Sequence, residues 1–234
     1  MGEFIPTPVV CEGRHFSTMG SMDKSLAECQ SKGYTALFMP EYLDAQIVSP
    51  RDSTIFDTGA ATLSMIILGK TRQKNPVAIY AHIPHHFSVP ENIKRVIEAK
   101  RVVGQGFGII PMEEFERLLK MEDNERVFVV DYGSFNEENI NSIVPVKRAL
   151  EHPQTIPFLG GEDRARKYLK KHKEVYGTKN IRINVQGNMF MPEEPAAGFL
   201  NIWGRNCLQE EKGRLNATHN ILGPGGFFGA KLKF

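Results

Sequence analysis

Apolar residues fall into two patterns along this chain. In the first they run unbroken, as in VAIYAHI (Val77 to Ile83) and RVFVVDY (Arg126 to Tyr132). A strand without polar alternation is buried on both faces, as central strands of parallel sheets are. In the second pattern apolar residues recur at helical spacing. DKSLAECQSKG predicts a short helix, with Asp23 as N-cap and Gly33 just past its end. SVPENIKRVIEAKRV predicts another: Ser88 and Glu91 form a capping box, and Ile93, Val96 and Ile97 share a face. MEEFERLLKMED places Phe115, Leu118 and Leu119 in register. EDRARKYLKKHKEVYG carries a stripe from Ala165 through Tyr168, Leu169, His172 and Val175 to Tyr176, closed by Gly177.

Other segments read less regularly. TALFMPEYLDAQIV looks extended and interrupted at Pro40, and TIPFLGG looks like a short strand ending in two glycines. Ala60 to Leu68 fits helix and strand equally. NEENINSIVPVKRALEHP is partly helical and broken at Pro145, while NIRINVQGN alternates like a strand. Strands alternating with helices imply parallel pairing through crossover connections. The expected fold class is α/β, a mostly parallel central sheet with flanking helices, plus C-terminal antiparallel β-strands. The expected organisation is a loose arm over residues 1–21, an α/β domain over 22–190 and a β-rich extension over 191–234. In that extension FLNIWGR, RLNATHNIL and FFGAKLKF are short β-like runs between polar or Gly-rich turns.

Composition narrows the function classes. The 234 residues are 41% apolar and 24% charged, which fits a globular protein with a sizeable core. A net charge of +2 predicts no general affinity for nucleic acid or anionic lipid. The basic stripe on the 162–176 helix reads as a solvated face. Cys11, Cys29 and Cys207 are too few and too scattered for a disulfide framework, which points to a reducing compartment. With no signal-peptide pattern and no apolar run long enough for a membrane helix, a cytoplasmic location is expected.

The candidate chemistry centres on YAHIPHHF. His82 ends an apolar strand, and His85 and His86 lie in the loop before the next helix. Ligands in parallel-sheet proteins sit beyond the carboxyl ends of strands, and imidazole is both a common metal ligand and a proton carrier near neutral pH. Asp131 ends a second apolar strand and Asp57 lies in IFDTGA, so either carboxylate is a candidate partner. His82, His85, His86 and Asp131 are the candidate ligands for a divalent metal such as zinc, manganese or iron. His82, Asp131 and Asp57 are the candidate catalytic groups. Gly160 and Gly161, in a turn with free N–H groups, and Ser134 in VVDYGSF are the candidate substrate contacts.

IFDTGA is similar to the active-site turn of retroviral-type aspartic proteases, and NIWGRN far downstream is similar to the element that closes that fold. Those proteases are shorter and mostly β, and α/β units fill the interval here, so no residues are carried over. LGKT lacks the first glycine of a phosphate loop, and GQGFG follows a helix rather than a strand, so neither reads as a nucleotide site.

Two function classes follow. The first is a metal-dependent hydrolase or lyase with a His/Asp site at the strand ends, acting on a small-molecule substrate. The second is a non-catalytic binding or assembly module using the C-terminal β-rich surface, with Trp203, Phe227 and Phe228 packing on a partner or a second copy in a homo-oligomer.

Overall fold

The computed structural model describes residues 9–18, 21–57, 59–104, 106–134, 141–184, 191–206, 213–219, 221–222 and 225–233. The described strands join one twelve-stranded sheet. They are β1 (Val9–Thr18), β2 (Thr35–Ala36), β3 (Ala60–Lys70), β4 (Pro76–Ala81), β5 (Val102–Val103), β6 (Phe107–Ile109), β7 (Val127–Asp131), β8 (Asn141–Pro145), β9 (Asn180–Asn184), β10 (Ala196–Ile202), β11 (Leu215–His219) and β12 (Gly225–Lys233). The main path runs β1-β12-β3-β10-β11-β9-β8, and β4 branches from β3 to reach β7.

The pairing corrects the expected fold class. β3, β4 and β7 form one antiparallel ladder, and among the described residues parallel pairing is confined to two short contacts, β12 with β3 and β11 with β9. The unbroken apolar runs were a true sign of burial and a false sign of strand direction. β3 sends Ile66 and Leu68 into one core and Met65 and Ile67 into another, and β4 divides Ala78 and Tyr80 from Ile79 and Ala81 in the same way. A strand covered on both faces loses its polar alternation whichever way its neighbours run.

Helices cover each face. On the first lie α2 (Met39–Val48), α5 (Thr155–Leu159) and α6 (Glu162–Tyr176), whose Tyr42, Leu43, Phe158, Tyr168 and Leu169 are buried. On the second lie α1 (Met22–Ser31), α3 (Pro90–Glu98) and α4 (Met112–Leu119), burying Met22, Leu26, Ile93, Val96, Phe115 and Leu118. Two helices occupy segments expected to be extended. In α2, Pro40 sits in the first turn, where its missing N–H costs nothing and its fixed φ suits a helix. α5 is a single short turn that Gly160 ends in the left-handed region, at φ 71°.

Val9–Thr18, within the expected loose arm, pairs along its length with β12. The C-terminal strands are built into the sheet, β10 between β3 and β11 and β12 between β1 and β3. Among the described residues no helix is long and apolar enough to cross a membrane.

Candidate binding surface

The histidines come first, because the sequence points to them. His82 is buried, with its ring fixed at both nitrogens. Nε2–H donates to the Pro157 carbonyl at 2.8 Å, and Nδ1 accepts from the Ser64 hydroxyl at 2.7 Å. That hydroxyl in turn accepts the Met39 N–H at 2.7 Å. The ring therefore ties β3 to the start of α2 and to α5. Burial pushes its pKa down to about 3, which keeps it neutral.

His85 is also buried. It donates through Nε2 to the Leu63 carbonyl at 2.5 Å and accepts the Phe87 N–H at Nδ1, and burial lowers it to about 4. His86 is half-buried beside Glu114, whose carboxylate accepts the His86 backbone N–H; burial lowers its pKa as well. Two of the three rings thus spend both nitrogens on the fold.

The carboxylates lie elsewhere. Antiparallel pairing sets Asp131 opposite Val77 and Ala81 opposite Val127. His82 and Asp131 therefore stand at opposite ends of the β4–β7 ladder, separated by roughly 17 Å at about 3.4 Å per residue. Asp131 is exposed, and its Oδ1 accepts the Gly133 N–H. Ser134 ends the 3₁₀ turn that follows. Asp57 meets Arg205, whose Nε and Nη2 reach its Oδ1 at 3.0 and 2.6 Å. The IFDTGA and NIWGRN segments thus do come together, as an ion pair at the sheet's end. Gly160 and Gly161, at φ 71° and 113°, form the turn between α5 and α6. The Gly160 carbonyl accepts from Arg164, which also holds Asp44. No group of three or more His, Cys, Asp or Glu is gathered for a metal ion among the described residues.

A different set of residues lines up in register at the β8 edge of the sheet. Register pairs place Asn141 opposite Asn184, Asn184 beside Asn216, and Asn216 opposite Asn201. These four positions cross four strands, roughly 14 Å at about 4.8 Å per strand. Ile181, Ile183, Leu215 and Ala217 pack into the core under α6, so by the pleat Asn184 and Asn216 face the other way. Asn184 Nδ2 donates to Asn216 Oδ1 at 2.8 Å, and Asn184, Asn201 and Asn216 are buried. A second row lies one pleat further along. Arg182 stands opposite Ile143, which is 55% exposed, and Arg214 lies over the Trp203 ring at 5.3 Å. Trp203 Nε1 is buried and has no hydrogen-bond partner among the described residues.

The connection from β10 to β11 is anchored at its base. Trp203 N–H donates to the Arg214 carbonyl and Gly213 N–H to the Trp203 carbonyl, closing it like a hairpin. Arg205 donates to the Arg51 and Ser53 carbonyls as well as to Asp57, and its guanidinium lies over Phe56. Gly213, at φ 67°, lies flat against the His172 and Tyr176 rings of α6, where any Cβ would overlap them.

Comparison with known proteins fits this architecture. No protein-family profile matches the chain, and no curated protein matches it. A solved structure does, at 36% identity and a TM-score of 0.81, covering 94% of this chain and 98% of the other. It is described as showing the accommodation of massive sequence variation in Nanoarchaeota by the C-type lectin fold. This chain belongs to that C-type lectin fold family. Membership overturns the hydrolase expectation together with the parallel-sheet fold on which it rested, and favours the non-catalytic alternative.

The C-type lectin chain also corrects the packing surface expected at its C-terminus. Phe227 and Phe228 are core residues, at 0% and 5% exposure, while Trp203 stays half-buried at the edge. The Asn and Arg positions went unnoticed in the sequence. Their signal was the alternation in NIRIN and RLNAT, which sorts Arg182, Asn184, Arg214 and Asn216 onto one face.

Proposed function

We propose that this C-type lectin chain is a non-catalytic ligand-binding module, whose ligand meets the β8–β9–β11–β10 face. The row of buried carboxamides beside Arg182, Arg214 and Trp203 carries this reading. Asn side chains offer paired donors and acceptors, Arg adds a planar fork of donors, and Trp adds an apolar plate. Such a mixture suits a polar, hydroxyl-bearing ligand such as a carbohydrate. The sparse cysteines, with Cys29 free and buried, support a reducing compartment.

The relative's fold accommodates massive sequence variation. Carried to this chain, that implies a face whose outward positions can be exchanged over a fixed scaffold. The test is an array of immobilised glycans probed with wild type and with an Arg182→Ala/Arg214→Ala double variant. Saturable wild-type binding, weakened at least tenfold in a variant with unchanged Tm, is the expected result. Equal binding by both proteins would sink this face as the site, and binding to no arrayed glycan would sink the carbohydrate class.

A further inference from the structure

A groove of about 440 Å³ lies between α4 and the turn from β3 to β4, on the α1, α3 and α4 side of the sheet and at the far end of β3 from the proposed recognition face. Its floor is apolar. Met112, Phe115 and Leu119 line it at i, i+3 and i+7 along α4, a stripe roughly 10 Å long at about 1.5 Å per residue. Met112 is 44% exposed, unusual for a side chain of its size on a helix that otherwise buries its apolar face. The floor is closed from below because the β3 backbone lies on the Phe115 ring; a Cβ at Gly69 would come within 2.7 Å of it.

The opposite wall is preformed. Thr71 N–H donates to the Asn75 carbonyl, Lys74 N–H to the Thr71 carbonyl, and Asn75 N–H to the Thr71 hydroxyl. The rim is cationic, with Lys70, Arg72 and Lys120 along it. The lining acid, Glu116, is already held by Arg72 through two bonds of 2.7 and 2.6 Å.

We propose that this groove docks a short acidic–aliphatic peptide segment of a partner polypeptide. Charge complementarity chooses the occupant: aliphatic side chains fill the Met112–Phe115–Leu119 stripe while carboxylates face Lys70 and Lys120. The stripe's length matches about three residues of extended peptide. The geometry also separates this site from ligand recognition. β3 runs from Ala60, paired with Ile202 next to Asn201 of the proposed face, to Lys70 at the groove, roughly 33 Å away at about 3.3 Å per residue. A partner held here leaves the other end free, so the groove fits an attachment point.

The experiment is fluorescence anisotropy on the full chain, using labelled hexapeptides in which Asp or Glu alternates with Leu, Ile or Phe. A control pool carries Lys in place of the acids. Saturable binding of the acidic pool is expected, at least tenfold weaker for the control pool, for Met112→Asp and for Lys70→Glu/Lys120→Glu. Arg182→Ala/Arg214→Ala should bind the acidic pool like wild type, which keeps this test separate from the glycan test. Both groove variants change exposed side chains, and an unchanged Tm establishes that they fold. Equal binding of the two pools, binding that survives both variants, or no saturable binding would overturn the proposal. So would self-association of the chain that Met112→Asp abolishes while the peptides fail to bind.

Discussion

His82 and Gly213 illustrate how single residues hold this fold. His82 spends both ring nitrogens joining β3, α2 and α5. His82→Ala leaves the Ser64 hydroxyl and the Pro157 carbonyl short of a partner and opens a cavity, at a cost of about 2–4 kcal/mol. Calorimetry should then record a Tm roughly 5–15 °C lower. Acid gives a second reading. The folded rings of His82 and His85 take up protons only near pH 3 and 4, while the ordinary value is 6.5. Between 6.5 and those values the unfolded chain binds more protons, so stability is full above 6.5 and falls as pH drops. Each ring contributes up to about 1.4 kcal/mol per pH unit in that window. Urea titrations from pH 7 to 4 should show a shallower loss for His85→Gln than for wild type; parallel curves would contradict the buried neutral ring. Gly213→Ala forces a methyl group into the His172 ring at a positive φ, and should cost about 1–3 kcal/mol.

Among the elements, local ones were legible in the sequence and their pairing was not. α1, α3, α4 and α6 lie where their apolar stripes put them, because each stripe is complete within about a dozen residues. The expected caps are corrected: Ser21 rather than Asp23 precedes α1, and Val89 precedes α3, while Ser88 ends the 3₁₀ turn before it and forms its capping box with His85 rather than Glu91. α2 was hidden by Pro40, which reads as an interruption until it is known to sit in a first turn. The direction of β4 against β7 depends on partners far apart in the chain, and no run of valines encodes it. The candidate site suffered from the same gap. HxxHH stood out by composition, while the carboxamide row exists only once β8, β9, β11 and β10 are laid side by side. One element-scale prediction concerns the base of the β10–β11 connection. Arg205→Ala removes its bonds to Asp57, Arg51 and Ser53 together. Hydrogen exchange should quicken at the Trp203, Arg205, Asn206 and Gly213 amides and stay unchanged in the β3–β4 ladder.

At the scale of the whole molecule, two helical layers sandwich a mixed sheet, and one edge carries the polar face. The layers separate the residues that stabilise the fold from the face proposed for recognition. Replacing Ile143, Arg182 and Arg214 with a mixture of side chains should leave most variants within a few degrees of the wild-type Tm, since these positions are exposed or half-buried. Ile183→Ala or Leu215→Ala, on the same strands and facing α6, should each cost about 2–5 kcal/mol. Thermal scans of the two sets measure that separation directly.

The division of β3 between two cores also sets a rule for how such a chain can change over time. Substitutions leave the phase of a strand intact, so an altered side chain stays on its own side. Inserting or deleting one residue in β3 would shift everything beyond it by one place and turn each core's residues toward the other helical layer. Substitution at an exposed edge position leaves that phase untouched, but the reading frame of the inner strands must keep its length.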